Sequence, residues 1–410
     1  MFMETLPTKS KITVRFVVIN AILISGSFIW YFYAFNILGG IIEKEILVYQ
    51  KILILFVNFI GIVTSALVGA FLVNKTKQRV PLLRFWAFFG LISSTIPILI
   101  DIGNVASTLI LSLFFGVSFG FGMPICMGYY ADSIQITKRG RFAGFLVLIM
   151  GLGILGIGLI SPKTLTEKFA VLSLLKTLQL IASFFIDSSY AFTKTANISY
   201  VSILKQRPFI LYFIPWTTFC LVNYAIYPVA TECFGKELVY FFVTIENAVI
   251  GIFAIIGGFL SDFIGRKRLI ILGFMLIGIG YAILSIYPYK MSWYLHTITD
   301  GVAWGFFYTL FFFTLWGDLA GDLPSEKYYA LGGIPYPLSY LLRILVENWI
   351  IKIISVYTIF SLASFFLFLA VIPLMYAPET LPEKLIKQRE LKKYIEKAKK
   401  IREKYEKAKD

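Results

Sequence analysis

The chain has 410 residues, 58% of them apolar and 15% charged, and its mean hydropathy is +0.80. A soluble domain cannot hide that much apolar surface, so composition excludes a soluble globular protein. The net charge of +15 would suit nucleic acid, yet the cations lie in short segments between apolar runs and in one tail, a membrane-topology pattern that excludes a nucleic-acid partner.

In chain order, apolar runs lie near 12–37, 51–73, 81–101, 104–131, 142–161, 168–188, 208–231, 238–261, 269–287, 291–317, 328–350 and 353–377. These are lengths that cross roughly 30 Å of hydrocarbon at about 1.5 Å per residue, so an all-α membrane protein with twelve transmembrane helices is expected. The first run has no short apolar core or small-residue cleavage site, and no signal peptide is expected to be removed. An even number of crossings puts both termini on one face. That face carries 17 Lys and Arg, leaving out the tail, against seven on the other. Both termini are therefore expected in the cytoplasm, with the cell (plasma) membrane as the location.

Residues 1–189 read as an N-terminal six-helix bundle, 190–207 as a cytoplasmic linker too short for a folded domain, 208–377 as a second six-helix bundle and 378–410 as a basic cytoplasmic helical tail. The tail carries 12 Lys and Arg after Pro382. Its stripe of Leu391, Tyr394, Ile395, Ala398, Ile401 and Tyr405 fits either a solvated helix or one lying on anionic lipid. Cys126, Cys220 and Cys233 lack disulfide or metal-ligand spacing, and the single histidine, His296, makes no metal centre; no cofactor and no metal are expected.

The two halves repeat. Gly116-Val117-Ser118-Phe119-Gly120 in the fourth run recurs as Gly301-Val302-Ala303-Trp304-Gly305 in the tenth, each followed by an aspartate, Asp132 or Asp318, at the inner helix end. Between the eighth and ninth runs, Gly258-x3-Asp262-x2-Gly265-Arg266-Lys267 puts an acid at one helix end, a glycine in the turn and cations that hold the loop inside. After the second run the same pattern is degraded, with Asn74 for the aspartate and Lys77 for the glycine.

The pattern from Gly258 to Lys267 resembles the loop signature of the major facilitator superfamily of secondary transporters. Asp132-x6-Arg139-Gly140 is similar to the acid-x6-Arg-Gly motif of its sugar-porter-like members, and Pro378-Glu379-Thr380 to the motif after their last helix. Asn223-x3-Tyr227 matches part of their sugar-contacting motif, although Thr217 and Thr218 stand where a glutamine pair is usual. The resemblance implies two six-helix bundles rocking about a central cavity. Charges at the inner helix ends would form a latch, with Arg266 or Lys267 pairing with Asp318, and Arg139 or Arg79 with Asp132.

Ionisable groups at membrane depth are expensive and are the first candidates for function. The N-terminal half offers Lys176; Asp101, Asp132 and Asp187 lie near helix ends. The C-terminal half offers Glu246, Asp300, Arg343 and Glu347, the last two spaced for an intrahelical ion pair. Trp304 and Tyr308 follow Asp300 along one stripe, as ring contacts for a solute or as packing. Gly151, Gly153, Gly156 and Gly158 in the fifth run predict a close helix approach. No nucleophile–base set or phosphate loop is present, so an enzyme is not expected.

These features predict a monomeric carrier of a small polar organic solute, of sugar or organic-acid type, working by alternating access with a proton as candidate coupling ion and membrane lipid around it. The alternative is a non-transporting nutrient sensor or a lipid scramblase of the same fold. The topology is checked with single cysteines. Those at Thr76 and Gln135 should react with impermeant maleimide only in opened cells and one at Glu43 in intact cells; outside labelling at 76 would invert the orientation.

Overall fold

The computed structural model describes residues 13–42, 47–99, 104–187, 192–350 and 353–381, with Leu391, Ile395 and Ala398 of the tail. Lys9, Lys11, Glu43, Lys44, Asp101, Lys352 and the tail positions Tyr394, Ile401 and Tyr405 lie outside the described residues.

Twelve longer helical segments follow one another among the described residues, with a short helix at Tyr200–Leu204 in the linker. In lipid the backbone must satisfy its own hydrogen bonds, and helices do this within each segment. Ten are long and apolar enough to cross a membrane. In the N-terminal half these are α1 (Val14–Ile42), α2 (Val48–Thr76), α3 (Val80–Leu99), α4 (Val105–Ser133) and α5 (Ile136–Ile160), followed by the more polar α6 (Leu165–Ser183). The C-terminal half has α7 (Arg207–Phe234), α8 (Lys236–Ile264), α9 (Arg266–Ile286) and α10 (Lys290–Ala320). Then come α11, in three pieces (Glu326–Gly332, Pro335–Leu345 and Val346–Ile350), and α12 (Val356–Tyr376).

The helix starts are written in the sequence. Thr13, Asn104, Thr164 and Ser355 each accept a backbone N–H of the first turn, and Glu167 completes a capping box with Thr164. The break in α11 falls before Pro335, whose ring favours the first turn of a helix over its interior. One-turn π-helices interrupt α1 at Ala21–Ser25 and α10 at Tyr308–Thr314.

Glycines set the packing of the repeat. A Cβ on Gly120 of α4 would come within 2.2 Å of the Ile62 carbonyl oxygen of α2, and one on Gly305 of α10 within 2.9 Å of the Ile250 carbonyl oxygen of α8. The duplicated glycine motif thus seats the fourth helix of each half against the second.

The halves meet most closely where α5 crosses α8. A Cβ on Gly144 would lie 2.3 Å from the Ala254 carbonyl oxygen, and one on Gly258 2.4 Å from that of Gly140. The glycine run expected to allow a close helix approach does so at one position, and against α1, not α8. Gly151, Gly156 and Gly158 have nothing within 4 Å, and Gly153 faces Ile29 of α1. Beyond Gly144 the end of α5 is open, with Leu159 88% and Ile160 72% exposed. The halves are clamped at the end that carries Arg79, Arg139 and Arg266, called the basic end below, and α5 is freer at the other.

Gly144→Val should overpack the crossing and cost about 1–3 kcal/mol, whereas Gly156→Val should stay within about 0.5 kcal/mol. Thermal unfolding in detergent reads the difference, and equal effects would contradict the crossing point.

Candidate functional site

At the basic end, helix termini supply the partners for a buried charge network. The first amides of α5 have no intrahelical acceptor. Asp262, in the last turn of α8, accepts from both Gly140 N and Arg141 N at 3.0 Å, where the partial positive charge of the helix start favours a carboxylate. Arg141 adds its Nε at 3.1 Å, and Arg266 donates to Asp262 from Nη1 at 2.8 Å. Arg266 also reaches Asp318 through Nε at 3.2 Å, and the other Asp318 oxygen takes Arg139 from the opposite half. Arg266, Asp262 and Asp318 side chains have no solvent exposure.

The second network inverts the first. Arg79, fully buried between α2 and α3, donates to Glu326 at 2.7 Å and to Asp132. Thr193 of the linker donates to the other Glu326 oxygen at 3.1 Å, and Lys194 meets Asp132 at 3.4 Å. One aspartate therefore holds two arginines at Asp318, while one arginine holds two acids at Arg79. Burial by itself would lower the Arg79 pKa, but the Glu326 and Asp132 carboxylates outweigh it and hold the guanidinium above its usual range, so it stays charged.

The two loops differ at one backbone position. Gly265 has φ +102° and Lys77, at the matching place, +62°. A Cβ on Gly265 would sit 2.3 Å from Glu379, whose carboxylate accepts from Arg266 N and Lys267 N at 2.8 and 3.1 Å and caps α9. Lys77 tolerates its left-handed conformation, and its ammonium binds the linker carbonyls of Lys194 and Ala196. Asn74 likewise donates to Ala196 O at 3.2 Å. Of the alternatives expected for the latch, Arg266 takes Asp318 and Arg79 takes Asp132. Arg139 reaches Asp318 instead, because α5 leans onto the C-terminal half, and Lys267 turns to the Met375 carbonyl at 2.7 Å.

Above the locked end, a cavity of about 80 Å³ lies between the halves, lined by Phe28, Phe119, Met127, Trp216, Phe312 and Tyr336 among others, with no charged side chain in its wall. Trp304 and Tyr308 are buried and pack ring to ring at 4.9 Å. Trp304 also meets Phe219 at 4.7 Å and Tyr224 at 5.9 Å. Tyr336 accepts from Tyr224 at 2.9 Å and lies 3.4 Å from the Tyr308 hydroxyl. The stripe beginning at Asp300 therefore packs against Tyr336 of the cavity wall, through Trp304 and Tyr308.

Behind that wall sit the acids. Asp300 is buried and Glu246 half-buried, each within electrostatic reach of the other. Asn223 stands beside Asp300 and accepts from Tyr281 at 2.6 Å, and His296 packs on the Tyr281 ring at 4.3 Å. Among the described residues no cation pairs with either acid. Arg343 is elsewhere: its guanidinium lies over the Tyr227 ring at 4.0 Å, and Glu347 is exposed. The intrahelical ion pair expected for Arg343 and Glu347 is absent among the described residues, because a π-turn at Val346–Ile350 breaks their register. Lys176 in α6 has its Nζ 4.3 and 4.4 Å from the Trp30 and Trp86 rings and donates to Ser118 O at 3.3 Å.

Glu326, Thr193, Lys194 and Arg141 were not expected at the site. Glu326 had a signal, an acid one position beyond the slot where the second copy of the acid-x6-Arg motif lacks its arginine.

No protein-family model and no curated protein matches this sequence. Solved structures do. The proton:xylose symporter XylE, bound to 6-bromo-6-deoxy-D-glucose, aligns with a TM-score of 0.68 at 15% identity over 89% of this chain and 96% of its own. The major facilitator superfamily transporter FucP, in the outward conformation, gives 0.69 at 10% identity over 88% and 98%. A human organic anion transporter gives 0.65 at 12% identity over 88% and 98%. Likeness over nearly the whole chain at such low identity establishes the fold, which is that of the major facilitator superfamily.

Removing one partner of a buried pair leaves the other uncompensated, at about 3–5 kcal/mol. Glu326→Gln and Arg79→Gln should each lower the thermal midpoint, and the double mutant should be little worse than either. Strictly additive losses would show that the two do not act as a pair.

Proposed function

We propose that this chain, built on the major facilitator fold, is a secondary active transporter that moves a small polar organic solute, of sugar or organic-acid type, by alternating access. It would act as a monomer in the cell membrane with both termini in the cytoplasm. The observation that carries the reading is the asymmetry between the two ends. The halves are locked at the basic end by pairs that cross between them, Arg139 with Asp318, Asp262 with the start of α5, and Arg79 with Glu326, while α5 is exposed at the other end. An interface made of a few discrete charge pairs has two states, made and broken, which is what alternating access requires.

Glu246 and Asp300 support proton coupling. Asp300 is buried and Glu246 half-buried, and among the described residues neither has a cation partner, which makes the two acids the candidates for binding a proton that moves with the solute. A conformational change that admits water to one side would release it there. The proton:xylose symporter among the structural neighbours lends support to this part of the reading.

Two measurements test it. Counterflow of labelled solute in proteoliposomes separates a carrier from a sensor or scramblase, which would bind or leak without exchanging label. Asp300→Asn keeps shape but removes the titration, so uptake against a gradient should vanish while exchange persists. If the variant accumulates solute as the parent does, Asp300 is not the coupling site.

A further inference from the structure

Arg343 is the one cation at membrane depth in the C-terminal half that no acid neutralises among the described residues. It shares a helix face with Tyr336 and Tyr340, at spacings of seven and three residues, so these side chains form a single stripe along α11. Tyr336 belongs to the cavity wall. Tyr340 lies one turn further from the basic end, with its ring 4.5 Å from Phe35 of α1 and 4.5 Å from Tyr224 of α7. Arg343 comes one turn beyond that, half-buried and held on the face of Tyr227. A guanidinium resting on a ring keeps its in-plane N–H groups free for a planar anion.

The opposite half supplies a counterpart. Tyr31 of α1 stacks on Phe119 at 4.0 Å and lies 5.9 Å from Phe35, and its buried hydroxyl has no hydrogen-bond partner among the described residues. The hydroxyls of Tyr224, Tyr308 and Tyr336 are engaged with one another. Among the described residues, α11 therefore offers a cation with no acid partner and α1 a hydroxyl with no hydrogen-bond partner, with ring faces beside each. A sugar brings several hydroxyls that each need a partner on burial and a dicarboxylate brings a second charge, so a single cation beside ring faces suits one carboxylate best.

We infer that the solute is a monocarboxylate with a flat, largely apolar body, its carboxylate held by Arg343 and its body between the rings of α1, α7 and α11, with Tyr31 as the polar contact from the N-terminal half. This rests on the transport reading and narrows its organic-acid branch. Arg343 and the Glu246–Asp300 pair then divide the work, one fixing the anion and the other carrying the proton that moves with it.

The test uses the purified full-length protein with benzoate as probe and benzamide, succinate and glucose as comparators. Benzoate should raise the thermal midpoint in a saturable way, and the three comparators should not. Arg343→Gln should weaken the benzoate response about tenfold or more, Arg343→Lys should restore part of it, and Tyr31→Phe, which removes only one hydroxyl, should weaken it a few-fold. Stabilisation by benzamide equal to that by benzoate overturns the role of the charge, and stabilisation by glucose or succinate but not benzoate overturns the solute class. An absent benzoate response likewise overturns the inference. Should another labelled solute still show counterflow, the transport reading stands without this substrate class; absence of counterflow for benzoate and all comparators while benzoate binds counts against transport and leaves the site intact.

Discussion

A charge placed between membrane helices must be answered by the protein itself, because hydrocarbon supplies neither water nor counter-ions. This chain meets that constraint in three ways. At the basic end, acids and arginines from both halves are interlocked with helix-start amides until few polar atoms remain unused. In the N-terminal half, Lys176 is answered by the faces of Trp30 and Trp86 and a carbonyl. In the C-terminal half, among the described residues, Asp300 has the neutral Asn223 beside it and neither Asp300 nor Glu246 has a cation partner. The first arrangement closes on itself, charge against charge, and the second sets a cation on ring faces. The third has no partner of opposite charge among the described residues, and for that reason it attracts a functional assignment.

The lock at the basic end is duplicated in position but opposite in sign. Asp318 sits between Arg139 and Arg266, whereas Arg79 sits between Asp132 and Glu326. Each of the two networks spans both halves, so neither half can satisfy its own buried charges alone. The linker takes part as well: Thr193 and Lys194 bind the acids of the second network, and Lys194 reaches the Gly321 carbonyl. The second network, lacking the aspartate and glycine of the first at Asn74 and Lys77, makes up the loss with linker atoms.

Much of the fold was legible because lipid narrows the options. Apolar runs of sufficient length mark the helices, the glycine repeat marks the duplication, and Gly258, Asp262, Gly265 and Arg266 mark the tightest inter-half contact. What was hidden depends on tertiary approach. The distance of Glu326 from Arg79 in sequence is unrelated to their contact, and the direction in which α5 leans decides whether Arg139 finds Asp132 or Asp318. Likewise, i,i+4 spacing suggested a pair between Arg343 and Glu347, but spacing assumes an unbroken α-helix, and the π-turn after Leu345 removes that premise. Glycines in α5 were read as a packing surface along the helix, yet only those near its start meet α8.

The cap that Glu379 places on α9 closes the C-terminal half into a ring, joining residues 113 positions apart in sequence. The amides of Arg266 and Lys267 leave the ribosome long before the carboxylate that satisfies them. The backbone turn at Gly265 that aims Arg266 at Asp262 and Asp318 therefore gains its fixing contact only when the last helix and the three residues after it have been made. The contact that fixes this turn comes from after the last helix, and a chain cut before Glu379 holds Arg266 less firmly than one that includes it.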